Sequence, residues 1–291
     1  MRLAAGDWAM EIAPEIGGAI LRLAHAGEAV LRSTPQTAIR TGDVGWTGCF
    51  PLIPYANRIA NGRFRFDGVE HHLRVGFPGA PHALHGVGWR RAWTVAEADG
   101  RSARLTLSHR PVGDAANDWP FAFDAAQRFA LDEAGLEVAL ALRNAADRPA
   151  PAGIGLHPFF PRPPGLTLTA RAEGAWLNAG DMLPSVRSRD ARFDFASPAA
   201  PIDGVDNDLF GWDGRAVLTR ADGRRTLIEA ESLFRHLRVF TPAGEAFLAV
   251  EPVSHMADAI NRMDEPDHGL AVLAPGETLQ GRVRFRVQTG V

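Results

Sequence analysis

The chain has 291 residues, of which 46% are hydrophobic and 22% are charged, and its formal net charge is -3. This length allows a large buried core, and the near balance of charges argues against a nucleic-acid partner. All 31 basic residues are arginine, which excludes Schiff-base chemistry on a lysine and the lysine of a phosphate-binding loop. The single cysteine, Cys49, excludes a disulfide within the chain, and no apolar run reaches about 18 residues. We therefore expect a cytoplasmic protein without a membrane span.

Apolar residues alternate mainly with a period of two, which is typical of strands that bury one face. Clear examples lie at 136–142, 166–168 and 283–287, and turn sequences that contain glycine separate such runs. The sequence has no long amphipathic helix, although a short one is predicted within 253–263. Because the sequence has no repeat, no linker and no βαβ alternation, we predict an all-β fold. The predicted architecture is a large antiparallel β-sandwich that forms one domain over residues 1–291.

The first candidate binding segment in chain order is 55–64, which reads YANRIANGRF. It combines amides and arginines with aromatic residues. Asn57 and Arg58 offer several hydrogen-bond donors in fixed geometry, which suits the hydroxyl groups of a sugar. An ordinary polar loop is the alternative interpretation of this segment.

Two histidines follow in the segment PHALHGVGW. The spacing of His82 and His85 is that of a metal-binding pair, but no third ligand lies nearby at a usual spacing, so no metal site is predicted. Gly86 and Gly88 indicate a loop, and Trp89 is available for stacking. His85 is therefore a candidate for substrate binding.

The next candidate is His157, in the apolar run PAGIGLHPFF. Alternation puts Gly153, Gly155 and His157 on one face, where two glycines leave room for the close approach of a ligand. Pro158 follows directly, so we expect His157 at the point where a strand leaves its sheet. The alternative is a core histidine bonded to backbone.

The segment 205–214, VDNDLFGWDG, supplies carboxylates, an amide and an indole in what we predict to be a loop. A pyranose can be held with its apolar face on an indole and its hydroxyls on a carboxylate. Asp206 and Trp212 are the candidates for these two roles. A plain turn is the alternative, and the spacing does not match a calcium-binding EF-hand.

The last candidate is Glu251, in the strand-like run AFLAVEP. Alternation places it on one face with Phe247 and Ala249, at the end of the run before Pro252. Glu251 is then either a solvated residue at a strand end or a carboxylate in a cleft. With His157 it would form an acid and base pair suited to chemistry near neutral pH.

Taken in this order, the segments resemble the aldose 1-epimerase (galactose mutarotase) family along nearly the whole chain. The most specific piece is PYANRIANGRF at 54–64, followed by LHG at 84–86. The Gly-Gly pair at 17–18 and a last strand after 274–277 also fit. The contexts GLHPFF and LHGVGW differ from those of typical galactose mutarotases, so the chain resembles a bacterial side branch of the family.

The resemblance implies a galactose mutarotase-like sandwich that interconverts the α and β anomers of an aldose without a cofactor. His157 would be the general acid that serves the ring oxygen, and Glu251 the general base on the anomeric hydroxyl. Arg58 and His85 would hold the substrate, and Asp206 would bind its hydroxyls. For this reaction we expect Glu251 to be ionised and His157 to be protonated when the sugar binds.

Three alternatives remain open at this level. A non-catalytic carbohydrate-binding sandwich would share the amide and aromatic segments but would not need the histidine and glutamate pair. A glycosidase could use Asp206 and Glu251 as paired acids, which would leave His157 without a role. An enzyme for a phosphorylated hexose could contact the phosphate through Arg40, Arg58, Arg63 or Arg90.

Overall fold

The computed structural model describes residues 1–76 and 81–290 of the chain. Strands make up 49% of it and helical turns 9%, and the strands within each large sheet pair antiparallel. The predicted all-β antiparallel sandwich is therefore confirmed. No helix among the described residues has the length and apolar character needed to cross a membrane, and the α-helix α1 (Gln36–Thr41) has only 6 residues.

The elements are short and spread evenly along the chain. The strands are, in chain order, β1 (Arg2–Ala5), β2 (Trp8–Ala13), β3 (Ala19–His25), β4 (Glu28–Ala29), β5 (Cys49–Leu52), β6 (Arg58–Ile59), β7 (Arg63–Phe66), β8 (Val69–His72), β9 (Ala83–Leu84), β10 (Thr94–Ala98), β11 (Ser102–His109), β12 (Phe123–Asp132), β13 (Gly135–Asn144), β14 (Ala150–Ala152), β15 (Gly155–Pro161), β16 (Thr167–Ala170), β17 (Gly174–Asn178), β18 (Pro184–Ser188), β19 (Val205–Phe210), β20 (Arg215–Thr219), β21 (Arg225–Ala230), β22 (His236–Thr241), β23 (Phe247–Val253), β24 (Ala271–Leu273) and β25 (Thr278–Gln288). Short 3₁₀ turns lie at Val44–Trp46, Ala60–Gly62, Gly88–Arg90, Gly113–Asn117, Ala191–Phe193 and Ala259–Asn261.

Two large sheets contain most of these strands. The larger has 11 strands in the order β1-β2-β3-β5-β15-β23-β22-β19-β17-β18, with β4 paired to β3. The smaller has 8 strands in the order β10-β11-β12-β13-β25-β21-β20-β16. Many neighbours form hairpins, but β15 pairs with β5 on one side and β23 on the other, although both lie far from it in the sequence.

The core lies between the two sheets. In β12 and β13 buried and less buried residues alternate, as the period of two in the sequence predicts. One hydrophobic cluster contains residues of both sheets, and the rings of Phe160 in β15 and Phe285 in β25 are 6.3 Å apart. The two sheets therefore face each other across a shared apolar layer.

The centre of the larger sheet is covered on its outer face as well. Nearly every residue of β15 and β23 is buried, so alternation does not leave one face of these strands in solvent. A second apolar cluster, which includes Phe50, Phe159 and Ala249, lies on the face opposite the main core. The side chains that share this face with the second cluster form the candidate site.

The short helix predicted within 253–263 is only the 3₁₀ turn Ala259–Asn261. Asp258, just before it, has a φ of 55°, in the left-handed region that interrupts an α-helix. The start of the segment instead extends the pairing of β23 with β15, because the backbone amide of Ser254 donates to the carbonyl of Ile154 at 2.9 Å. The prediction of a regular helix here was wrong.

Candidate active site

The outer face of the larger sheet carries a row of side chains that lie opposite one another on neighbouring strands. The register pairs Phe50 with His157, Arg238 with Glu251, and Asp208 with Arg238. The register between β15 and β23 also puts His157 across from Glu251. Antiparallel pairing thus brings together a histidine and a carboxylate that are distant in the sequence.

Both residues lie inside strands, and the prediction that they sit where a strand leaves its sheet was wrong. His157 is followed by Pro158, which still pairs with Cys49, and Pro252 still pairs with Leu237. Proline has an extended backbone and keeps its carbonyl acceptor, so each strand loses one donor without ending.

A cavity of about 260 Å³ lies over this row. Its lining combines aromatic and charged side chains, which gives a ligand both an apolar surface and polar partners. Six of the seven residues predicted for the site line it, and they are Asn57, Arg58, His85, His157, Asp206 and Glu251.

His157 and Glu251 are in direct contact. The distance from Nε2 of His157 to Oε1 of Glu251 is 3.3 Å, and the two residues are only 7% and 1% exposed. The imidazole packs against the rings of Phe50 and Phe159, at centroid distances of 4.6 and 4.5 Å, and these two rings also contact each other at 6.2 Å. Aromatic packing and burial therefore shield the pair from bulk water, while both groups line the cavity.

This burial disfavours the charged form of both groups. It lowers the pKa of His157 to about 3, although Asp206 opposes the shift. It raises the pKa of Glu251 well above its usual value, against the effect of Arg238. The structure thus favours a protonated Glu251 beside a neutral His157. The charged pair expected from the sequence forms when the proton moves from Glu251 to His157.

Asp206 is held by two arginines. Its Oδ1 accepts from Nε of Arg238 at 2.8 Å, and its Oδ2 lies 3.2 Å from Nη2 of Arg58. Burial alone would raise the pKa of Asp206, but these two cations lower it below its usual value. Asp206 is therefore an ionised acceptor, which fits a role in binding hydroxyl groups.

The segment of Asn57 and Arg58 forms the opposite wall. The amide of Asn57 donates to Nδ1 of His85 at 3.1 Å. Because Nδ1 accepts, the neutral ring of His85 carries its proton on Nε2, where it can donate to a ligand. Burial lowers the pKa of His85 well below its usual value, which keeps the ring in this form.

His82 also lines the cavity, but both of its ring nitrogens are occupied by backbone. Nδ1 accepts from the amide of Asn61 at 3.0 Å, and Nε2 donates to the carbonyl of Asp181 at 2.9 Å. This arrangement gives His82 a structural role in the wall and leaves it no free nitrogen for a metal or a proton transfer.

The structure does not bring Trp212 to the cavity, so its prediction as a sugar platform was wrong. The strand β19 runs from Val205 to Phe210, where we predicted a loop, and the chain then turns inward. Trp212 packs in the main core at 4% exposure, and its Nε1 donates to the carbonyl of Arg215. Trp89 lines the cavity instead, stacked on Phe50 at 5.4 Å.

The glycines near His157 do not open space for a ligand, contrary to the prediction. A β-carbon on Gly153 would lie 2.0 Å from Cδ2 of His255, and one on Gly155 would lie 2.7 Å from Cγ1 of Val253. Neighbouring side chains already fill this volume. The glycines are needed because of packing inside the protein.

Sequence reasoning missed Arg238, whose guanidinium connects β22 to β19. It donates to Asp206 and, through Nη1, to Oδ1 of Asp208 at 2.8 Å. Burial disfavours its charge, but the two carboxylates outweigh this effect and raise the pKa of Arg238. The available signal was an arginine within the otherwise apolar run HLRVF. A charge at a buried strand position requires partners.

Comparisons with known proteins agree on one family. The family model for aldose 1-epimerase matches residues 4–286. The uncharacterized protein YphB of Escherichia coli K12 is 31% identical over 251 residues, which is 82% of this chain and 83% of that protein.

Solved structures give the same result for the fold. A putative aldose 1-epimerase from Escherichia coli K12 superposes with a TM-score of 0.89 at 28% identity, over 99% of this chain and 98% of the other. A galactose mutarotase-like protein from Clostridium acetobutylicum superposes with a TM-score of 0.82 at 17% identity, over 99% and 95%. Because the family model matches residues 4–286, which is almost the full length, the chain belongs to the aldose 1-epimerase family.

Proposed function

We propose that the protein interconverts the α and β anomers of an aldose by acid and base catalysis. The observation that carries this proposal is the contact between Nε2 of His157 and Oε1 of Glu251 in a lined cavity. The two oxygens that exchange protons in a hemiacetal are bonded to the same carbon. An acid and a base must therefore lie side by side to reach both, as these two groups do.

The reaction begins from an ionised Glu251 and a protonated His157, which the neutral pair reaches by moving one proton. Glu251 takes the proton of the anomeric hydroxyl, and the bond between C1 and the ring oxygen breaks. The electron pair of that bond stays on the ring oxygen, which takes the proton of His157 Nε2. The C1–C2 bond of the open aldehyde rotates, and the reverse transfers close the ring on the other face. Each transfer contributes about 10²–10⁴-fold.

The remaining lining residues would bind and orient the sugar. Oε2 of Glu251 is buried without a hydrogen-bond partner in the described part of the chain, so it is available to the anomeric hydroxyl. Nε2 of His85 can donate, and Asp206 can accept. Trp89 and Phe159 supply an aromatic surface for the apolar face of the ring.

The charges of the site favour an unphosphorylated sugar. Of the four arginines considered for a phosphate, Arg58 lines the cavity, and it contacts Asp206 and Oδ1 of Asn57. Arg238 is likewise paired with carboxylates. A glycosidase mechanism has less support, because it would leave His157, which contacts Glu251 in the cavity, without a role.

Polarimetry tests the proposal. Freshly dissolved α-D-glucose and α-D-galactose should lose optical rotation faster with the protein than in buffer alone, and Glu251→Gln should remove the acceleration. Glucose and glucose 6-phosphate should be compared in parallel. Sugar binding without acceleration would instead support a non-catalytic carbohydrate-binding protein. A preference for glucose 6-phosphate would support an enzyme for a phosphorylated hexose.

A further inference from the structure

The segment 56–61, which carries two of the proposed sugar contacts, cannot hold itself as a regular strand. Asn57 and Asn61 have φ values of 61° and 52°, in the left-handed region. Backbone in this conformation does not fit a continuous sheet, so its amide groups need other acceptors. Only Arg58–Ile59 forms a strand, the two-residue β6.

Side chains supply these acceptors, and three of them are imidazoles. The amide of Ala60 donates to Oδ1 of Asp258 at 2.9 Å, and that of Arg58 donates to Oδ1 of Asn57. The three bonds to imidazole nitrogens run from Ala56 to His255 Nε2, from Asn57 to His85 Nδ1 and from Asn61 to His82 Nδ1, with lengths of 3.0, 3.1 and 3.0 Å. Each ring must be neutral, because only an unprotonated nitrogen accepts.

His255 is the member of this group that has no place in the cavity wall. Its Nδ1 donates to the carbonyl of Met256 at 2.7 Å, which leaves Nε2 as the acceptor for Ala56. The ring is 2% exposed and fills the space beside Gly153, where any side chain would collide with it. Both ring nitrogens are therefore bonded to backbone in one fixed tautomer.

The position of His255 connects the strand of Glu251 to the segment that carries Asn57 and Arg58. It follows β23, the strand of Glu251, by two residues, and its Nε2 holds the residue directly before Asn57. The charged and titratable groups that face it are Asp208, His236 and His268. Burial lowers the pKa of His255 to about 4, so the accepting form persists at neutral pH.

We propose that His255 is a positioning residue, which holds the segment 56–61 so that Asn57 and Arg58 face Glu251 across the cavity. It does not touch the sugar. Its effect on kinetics rests on the proposed anomer interconversion, whereas its effect on the geometry of the segment does not.

Two variants separate the accepting nitrogen from the rest of the ring. His255→Gln places an amide oxygen where Nε2 lies, so it can still accept from Ala56. His255→Asn reaches only the position of Nδ1 and leaves the amide of Ala56 without a partner. We expect His255→Asn to raise KM by about tenfold with kcat nearly unchanged, because it weakens sugar binding and leaves the acid and base in place. His255→Gln should restore KM to within about threefold of the wild type.

A measurement by NMR tests the geometry without any activity. An N–H···N hydrogen bond transmits a scalar coupling between its two nitrogens, so ¹⁵N-labelled wild-type protein should show a coupling between the Ala56 amide and His255 Nε2. The amide resonances of Asn57 and Arg58 should shift in His255→Asn and return toward their wild-type positions in His255→Gln.

The outcomes divide as follows. Absence of the coupling in wild-type protein overturns the proposal, and this result is obtained even if a variant fails to fold. Equal KM values in the two variants also overturn it. So does a loss in His255→Asn that is confined to kcat, because a residue with a merely structural role would lower the fraction of active protein, and with it kcat, without changing KM. If the wild type does not accelerate mutarotation, the proposed function fails, and the coupling and amide shifts still decide the role of His255.

Discussion

At the scale of single residues, the position of one proton decides whether Glu251 and His157 can act. Burial favours the neutral form of each, whereas the proposed reaction needs the carboxylate and the imidazolium. Arg238, across from Glu251, favours the carboxylate, and Asp206 favours the imidazolium. Each also acts on the other partner in the opposite sense, because Arg238 lowers the pKa of His157 and Asp206 raises that of Glu251. The two charges therefore partly offset each other's effect on the proton shared by the pair.

We expect Glu251→Gln to lower kcat by about 10²–10⁴ while sugar binding is largely retained, since glutamine keeps the shape but accepts no proton. Steady-state polarimetry at several sugar concentrations measures both quantities. The matched control is Glu97→Gln, at a side chain that is 75% exposed on β10, and its kcat should equal that of the wild type. A folded Glu251→Gln with wild-type kcat would remove this residue from the mechanism.

The pH profile of kcat/KM should be a broad bell. The active pair holds one proton, which it loses at high pH, and it gains a second at low pH. With ordinary values of 4.5 and 6.5 the bell would be confined between these two limits. The lowered pKa of His157 moves the acidic limb down, and the raised pKa of Glu251 moves the basic limb up, so both limbs lie outside this window.

His157→Asn tests the same profile from the other partner. Asparagine cannot deliver a proton from the position of Nε2, so kcat should fall by about 10²–10⁴ and the bell should lose one limb. The measurement is polarimetry over a pH series, with the uncatalysed rate subtracted at each pH. A complete bell at a comparable rate would mean that another group donates the proton, and His85 would be the next candidate.

At the scale of elements, the buried Arg238 joins β22 to β19 through the buried Asp208 and the partly buried Asp206. Replacing it by leucine removes the cation paired with Asp208 and leaves Asp206 with Arg58 alone, and removing one partner of a buried pair costs about 3–5 kcal/mol. Urea unfolding should therefore show a large loss in Arg238→Leu. Arg286→Leu is the control, because this side chain is 40% exposed and pairs with Glu229 at the surface, where about 0–1 kcal/mol is expected. Equal losses in the two variants would contradict the structural role of Arg238.

Local pattern explains which elements could be predicted from the sequence. Strict alternation in β13 and β25 reflects one face on the core, and it is visible without knowing the partner strands. In β15 both faces are buried. Alternation in the sequence therefore showed which residues of β15 lie on the same face as His157, but not which parts of the protein cover that face. The position of Trp212 was predicted wrongly because composition did not show that Val205–Phe210 forms a strand. The chain turns only after this strand, and the turn places Trp212 in the main core.

The site residues divide in the same way. His157, Glu251 and Arg58 belong to distinctive local segments, so the sequence was sufficient to name them as candidates, and the structure places them around one cavity. Arg238 and His255 gain their roles only from partners on other strands, through the register with Asp208 and the bond to Ala56. Sheet register depends on pairing over long sequence distances, which a local pattern does not encode.

At the scale of the whole molecule, the larger sheet separates two environments. Its inner face packs on the smaller sheet and forms the main core, whereas its outer face carries the candidate site beneath loops. Changes in the site therefore need not disturb the contact between sheets. The assignment of residues 1–291 to a single domain stays a prediction, and separate unfolding transitions in calorimetry would contradict it.

The buried neutral histidines should make the whole protein sensitive to acid. The folded-state pKa of His157 is about 3 and that of His255 about 4, both below the ordinary 6.5. The unfolded chain therefore binds more protons between these limits, and the stability that the neutral rings contribute is present above pH 6.5 and is lost as the pH falls to 4 and below. The raised pKa of Glu251 acts in the opposite direction, because its contribution is present at low pH and is lost as the pH rises.

The contribution of His255 to this acid sensitivity can be measured by replacing its imidazole with a side chain that does not titrate. His255→Gln and His255→Asn both lack a titrating group at this position, so the free energy of unfolding should fall less steeply between pH 6.5 and 4 in both. The difference in slope from the wild type should approach one proton, which is about 1.4 kcal/mol per pH unit. Urea unfolding at several pH values measures it.

The two variants should share this slope although they differ in KM, because the slope depends on the lost imidazole and KM on the acceptor for Ala56. Parallel curves for wild type and variants would show that His255 is already protonated in the folded state, or that its folded and unfolded pKa values are equal.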